Sequence, residues 1–434
     1  MIVRIRRKKL HWERGAAFKY LYMTVMFWMM CASVNLSFTW RVPTAFSYAL
    51  AIIVCIGMLY FEKAPRSRDG IILEGLLIVL CIYLLVVSPF SVGRLWGPAM
   101  TLVGVMSILR LPEPDKRRFL DFITNGIVLI LCFSLFGWAL YLGGVHLPHT
   151  GVVDVGDNFH YLYNYYLFTV SQKAASSGVF PRFSSVFLEP GQLAAPCAIL
   201  LFAGGDRLAV WKRIVLIVAI LLSFSLVGIA VLLGGYGLKL LLSGKHRFLK
   251  IIGFLAVLIP LGISIYAAAD ESNPIYSRIF MRLEYDEDKG ISGNNRTTEE
   301  FDQRFEQMMH SNSKWFGIAR SIGRYDNLVS NTSGYKKFIV FYGLIGLILL
   351  WAFHLYLLKL DWCPASFILF VVLLVLFIPR SMLLSPLWEF PAVLGFRLLG
   401  AEARRAGSQE PVKKRQIRFR FKKAAPLYVE GNEN

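Results

Sequence analysis

The stretch from Phe180 to Ala203, FPRFSSVFLEPGQLAAPCAILLFA, joins a polar approach containing Arg182 to an apolar run that could cross most of a bilayer. Glu189, Pro190, Gly191 and Gln192 stand at the junction. An ionisable group beside hydrocarbon is costly and marks a functional-site candidate. Pro190 suits the first position of a helix, because it lacks only an N–H that would be unpaired there. The amides from Gly191 onward are then expected to face the membrane surface as an anion site. The competing reading makes Glu189 a helix cap and Arg182 an interfacial anchor.

The chain around this stretch belongs to the membrane class. It has 434 residues, 56% of them hydrophobic and 17% charged, with a mean hydropathy of +0.53. Apolar runs of about 20 residues recur, which is the transmembrane signal. The formal charge of +19 is concentrated at the ends: Arg4, Arg6, Arg7, Lys8 and Lys9 at the start, and Lys413, Lys414, Arg415, Arg418 and Arg420 in the tail. Beside transmembrane helices such clusters set topology and touch anionic lipid, so no nucleic-acid partner is expected. Five of the six cysteines lie inside apolar runs and Cys363 lies just before one. Neither a disulfide framework nor a zinc spacing is present.

Charge asymmetry orders the spans. The basic segment 1–19 is expected to stay cytoplasmic, followed by a bundle over 20–268 interrupted by an external loop at 144–185. Spans are expected at about 18–37, 44–61, 71–88, 96–111, 122–143 and 186–203. The run Ile214–Leu242 has basic flanks on both sides, so an even number of crossings is required. It is split into two short spans turning near Ser223–Ser225, a pattern that usually lines a cavity. A span over 249–268 precedes the largest polar loop, 269–334. Within that loop a helix is expected over Thr297–His310, opened by a Thr-Thr-Glu-Glu capping pattern. Spans at 335–358, 365–383 and 386–401 complete the C-terminal part, 335–401, before a basic cytoplasmic tail at 402–434. Glu389 and Arg397 sit inside the last of these spans. The aromatic run Phe159–Phe168 is read either as an interfacial helix or as a cleft wall that stacks on sugars. The fold class is thus an all-α polytopic membrane protein, with about twelve transmembrane helices and a large external loop between late spans.

Three motifs in order carry a family resemblance. PRFSSVFLEPGQLA is similar to an arginine–small–aromatic–proline motif at the start of a span. GNNRTTEEF, Gly293 to Phe301, is similar to a glycine/asparagine–arginine motif in a large external loop. FGIARSIGRYDN, followed by SGYKKFIVFYGLIG, is similar to a glycine-rich loop entering a tyrosine-containing span that ends in Gly-x-x-Gly. The chain in this way resembles the bacterial O-antigen and exopolysaccharide polymerases of the Wzy type and the related O-antigen ligases, most closely over 180–350. Ligases often carry serine–arginine where Ser225 is followed by Leu226, and a histidine–asparagine pair near the position of Asn331. Both departures favour the polymerase side.

The resemblance implies a multi-pass protein of the bacterial inner membrane with its large loop in the periplasm. Its donor would be a glycan on polyprenyl diphosphate, and its acceptor a sugar hydroxyl on a second lipid-linked unit. A chain-length regulator and a flippase are implied as partners. The leaving diphosphate needs fixed donors, and guanidinium forks bind phosphate bidentately. Arg182 and Arg296 are the candidates embedded in matching motifs; Arg94, Arg320, Arg324 and Arg380 are secondary. Asn295, Tyr335, His160, Arg94 and Arg324 are candidates for substrate binding. Glu189, His160 and Asp326 are candidate bases, with Glu189 favoured or else orienting Arg182. With no Asp-x-Asp sequence and no His/Cys cluster, metal-independent charge stabilisation and no cofactor are expected. The rivals are a ligase and a twelve-span transporter or flippase, although transporters tend to show repeated halves.

Overall fold

The structure, a computed structural model, describes residues 2–62, 67–88, 92–154, 161–176, 180–242, 244, 246–268, 285–286, 290–291, 297–319 and 334–409. The first half holds α1 (Ile2–Ser33), α2 (Thr44–Phe61), α3 (Arg68–Val87), α4 (Val92–Arg110) and α5 (Glu113–Leu142). Next come α7 (Pro190–Gly204), α8 (Val210–Leu222), α9 (Leu226–Leu242) and α10 (Arg247–Ala268), after a short α6 (Gln172–Ser176). Two loop helices, α11 (Glu299–Met309) and α12 (Ser313–Phe316), precede α13 (Tyr335–Leu360), α14 (Pro364–Phe377) and α15 (Pro386–Gln409). Four helices, α2, α3, α5 and α13, are long and apolar enough to cross a membrane. The part of α4 from Leu95, together with α9 and α14, forms shorter apolar helices.

These elements fit an α-helical membrane protein, and the outward surface agrees. Ile53 and Tyr60 on α2, Ile82 and Val86 on α3, Phe133 and Phe136 on α5, and Phe248 and Val257 on α10 are all exposed. Soluble proteins rarely expose such contiguous apolar surface. The most enclosed elements are α7 and α15. From Gln192 to Gly204 every residue of α7 is buried. From Pro386 to Ala401, α15 is buried apart from Arg397. They pack on each other, and α15 also touches α1, α4, α5 and α14. A Cβ on Gly395 would stand 2.6 Å from the Ala203 Cβ. The two backbones therefore approach as closely as small residues permit.

One end of the bundle is an ionic layer. Lys19 reaches Glu62 at 2.7 Å and Asp115 at 2.6 Å. Glu402 accepts from Arg117 at 3.3 Å and Arg207 at 3.1 Å, and Arg405 meets Glu113 at 3.0 Å. Asp361 is bonded by Arg397 at 2.7 Å and Arg404 at 2.8 Å. Lys239 bonds Asp206 at 2.7 Å and holds that carboxyl below the usual carboxylate range. Described parts of the segments around Lys19, Glu62, Asp115, Asp206 and Glu402, which charge asymmetry assigned to one side of the membrane, thus meet at one end. Lys239 and Asp206 place the end of α9 beside the end of α7, so the Ile214–Leu242 run does turn back on itself. The turn lies at Ser223–Ser225: Ser225 N donates to Ser223 Oγ at 3.2 Å, and Gly228 N to Ser225 Oγ at 3.3 Å.

The ionisable residues of the last helix are paired inside the bundle. Glu389 meets His354 at 3.1 Å with both side chains fully buried, and Arg397 meets Asp361. Two features depart from an all-α reading. A three-stranded antiparallel sheet, β1 (Val152–Asp154), β2 (Tyr161–Asn164) and β3 (Thr169–Ser171), occupies the loop at 144–185. The aromatic run therefore contributes a strand: Leu162 turns inward while Tyr161 is exposed. A two-residue ladder, β4 (Tyr285–Asp286) with β5 (Gly290–Ile291), lies in the late loop. The expected loop helix is present as α11, capped by the Thr298 hydroxyl, which accepts from Phe301 N at 3.2 Å.

Candidate functional site

The segment leading into α7 is stitched down on all sides. Phe183 N donates to Leu222 O at 3.0 Å, Ser37 N to Val186 O at 2.9 Å, and Ser185 Oγ to Ser134 Oγ at 2.7 Å. Thr169 of β3 donates to Phe187 O at 2.8 Å. This rigid approach delivers Glu189 to the start of α7, at the end of the bundle opposite the ionic layer.

Arg182 serves the neighbouring turn. Its Nε donates to Ser223 O at 2.9 Å and its Nη2 to Phe224 O at 2.9 Å, which satisfies carbonyls left open where α8 ends. Arg182 is therefore more than an interfacial anchor: it ties the α7 approach to the α8–α9 turn. Glu189 makes an ion pair with Arg380, which is 7% exposed. Gly191 lies against the same guanidinium, and a Cβ there would stand 3.0 Å from Arg380 Nη2. The amides of Gln192 and Leu193 both bond Glu189 O, at 3.0 and 3.3 Å. This narrows the expected anion site, because those two donors are already used. The Gln192 side chain is buried beside them, and its Oε1 has no partner among the described residues.

Gly191, Ser225, Gly228, Pro379, Arg380 and Trp388 line a crevice of about 10 Å³, the size of one water. In this conformation Glu189 and Arg380 close the site on each other. The helices that carry the site are also short. α7, α8 and α14 have 15, 13 and 14 residues, or roughly 20–23 Å of helix at ~1.5 Å per residue. A hydrocarbon core is ~30 Å thick. These three helices are thus shorter than a hydrocarbon core is thick.

Of the sequence candidates, the structure brings Arg182, Glu189, Tyr335 and the secondary Arg380 to this end. Tyr335 N donates to Ile378 O at 3.1 Å, two residues from Arg380, and its side chain is 39% exposed. Arg94 lies in the first turn of α4, and its side chain lies outside the described residues. His160, Asn295, Arg296, Arg320, Arg324, Asp326 and Asn331 also lie outside them. The loop parts that are described dock on α13. Lys336 bonds Asp302 of α11 at 2.6 Å, and Phe301 and Met308 pack on Ile339 and Val340. Gly317 and Gly343, from the two halves of the third motif, meet backbone to backbone with φ of 72° and 65°. Gly343 breaks the helical path of α13, and Tyr83 of α3 donates to Tyr342 O at 2.8 Å.

Sequence reasoning ranked Arg380 as secondary. Its only local signal is a Pro-Arg step directly after an apolar run. No family model, no curated protein and no solved structure matches the chain. The functional reading therefore rests on the motifs and on this geometry.

Proposed function

We propose that the chain is a membrane-embedded polymerase of surface glycan repeat units, with twelve crossings, both termini in the cytoplasm and the Glu189 end facing the periplasm. The donor is a glycan on polyprenyl diphosphate, and the acceptor is the sugar hydroxyl of a second lipid-linked unit. The observation that supports this reading is the Glu189–Arg380 pair, whose Arg380 lines a crevice next to the turn that Arg182 holds. A guanidinium and a carboxylate that satisfy each other at rest can be separated by a diphosphate. Arg380 then transfers its hydrogen bonds from Glu189 to the phosphate oxygens. Glu189, no longer paired with Arg380, can take a proton. The acceptor oxygen attacks the anomeric carbon, and the bond to the diphosphate breaks with its electron pair. The hydroxyl proton passes to Glu189, and the leaving charge stays on polyprenyl diphosphate against Arg380.

The test is reconstitution. Purified protein in vesicles receives its lipid-linked repeat unit without nucleotide sugar or triphosphate, and products are resolved as a gel ladder. The reading expects lengthened lipid-linked glycan, lost in Glu189→Gln and Arg380→Lys proteins that still fold. A single unextended band from folded wild-type protein overturns it. Transfer of intact glycan across the membrane without lengthening makes the protein a flippase instead.

A further inference from the structure

An open cavity lies at the far end of α7 from this site and has no role in the proposed transfer. It is a cavity of about 420 Å³, within the ~300–1,000 Å³ range of small-molecule pockets. Its walls come from four helices: Phe202 of α7, Tyr236 of α9, Ile368 of α14 and Leu399 of α15. Its rim carries Asp206, Arg213, Lys239 and Glu402. The two carboxylates are outnumbered. Glu402 is bonded by Arg117 and Arg207, and Asp206 by Lys239 at 2.7 Å with Arg213 at 3.8 Å. Two cations, Lys239 and Arg213, line the cavity with the two carboxylates, and Arg117 and Arg207 stand behind Glu402. Arg213 Nε is buried and has no partner among the described residues, and the Lys239 side chain is 46% exposed.

We infer that this cavity binds an anionic phospholipid from the leaflet at the ionic end, with the phosphate at Lys239 and Arg213 and one acyl chain between Phe202, Tyr236, Ile368 and Leu399. A soluble anion would use the rim and leave the apolar walls wet. An uncharged lipid would fill the walls and leave the buried Arg213 Nε without a partner. An anionic amphiphile satisfies both, and the ionic end is where basic residues collect, as they do beside anionic leaflets. The inference is independent of the reaction proposed above.

Full-length, delipidated protein in detergent is titrated with phosphatidylglycerol, with phosphatidylcholine of the same acyl chains, and with inorganic phosphate. Native mass spectrometry counts bound lipid. Phosphatidylglycerol is expected to bind about tenfold more tightly than phosphatidylcholine, the effect of one to two cations near an anionic headgroup. Lys239→Met should remove most of that preference, and Ala403→Phe, which fills the cavity, should weaken both lipids. A second measurement needs no variant. Phosphatidylglycerol with a photoreactive acyl chain should label peptides carrying Phe202, Tyr236 or Ile368 in the unmodified chain. Equal binding of the two lipids overturns the inference, as does labelling confined to the outer faces of the bundle. Thermal protection by inorganic phosphate equal to that by the anionic lipid overturns it too.

Discussion

The His354–Glu389 pair allows a test by proton counting. Both side chains are 0% exposed. His354 Nδ1 lies 2.9 Å from Leu350 O, and a carbonyl only accepts, so Nδ1 carries hydrogen. Nε2 lies 3.1 Å from Glu389 Oε2. One proton must occupy that contact, on either the imidazole or the carboxyl, and the pair is neutral as a whole. Glu389→Gln reproduces this arrangement, since its amide N–H can donate to Nε2. Its carbonyl can take the place of Oε1, which has no partner among the described residues. The expected cost is about 1 kcal/mol or less, a neutral hydrogen bond replacing a neutral pair. Glu389→Leu leaves Nε2 buried and unbonded, a loss of about 1–3 kcal/mol. His354→Leu leaves a protonated carboxyl in the core with a partner for neither oxygen, at the upper end of about 1–3 kcal/mol. Equilibrium unfolding in mixed micelles, followed by far-ultraviolet circular dichroism, gives the order directly. If Glu389→Gln destabilises as much as His354→Leu, the shared-proton argument is wrong.

Three further expectations concern packing, sidedness and the crevice. Gly395→Leu should force α7 and α15 apart and lower stability by about 1–3 kcal/mol through overpacking; unchanged unfolding midpoints in the same micelles would contradict the close crossing. In a cysteine-free background, Tyr166→Cys (60% exposed) and Arg118→Cys (69% exposed side chain) should label with an impermeant thiol reagent from opposite membrane faces. Labelling of both from one face would break the up-and-down topology. Arg182→Lys loses the two-pronged contact to Ser223 O and Phe224 O, so it should lower thermal stability as well as activity, whereas Arg380→Lys should lower activity with the smaller stability change. Equal melting losses would mean that Arg380 is held as tightly by the fold as Arg182.

Much of the helical layout could be read from local pattern. The apolar runs located α2, α3 and α5, and the basic flanks forced the turn at Ser223–Ser225, because charge at helix ends is a local property. What was missed depends on distant partners. Arg380 meets Glu189 across 191 positions, and no spacing rule connects them. Glu389 and Arg397 looked like defects in α15 until His354 and Asp361, 35 and 36 residues earlier, took positions opposite them. The strand at Tyr161–Asn164 was obscured for another reason. Its aromatic residues suit a membrane interface as well as a sheet, and only pairing with β1 and β3 decides between the two.

The short helix α8 has a consequence for the lipid around it. Val210, Ile214 and Leu221 are exposed along it, so this 13-residue helix faces hydrocarbon over only ~20 Å. A bilayer meets such hydrophobic mismatch by thinning locally, at a cost of fractions of a kcal/mol per Å. Headgroups beside α8 therefore sink toward the Ser223–Ser225 turn, which borders the crevice. Under the proposed reaction, a diphosphate on a long isoprenoid chain, carried down with them, would approach Arg380 sideways through the membrane rather than from the water above. Bilayer thickness becomes a control on that approach, set by the lipid and not by any residue of the site.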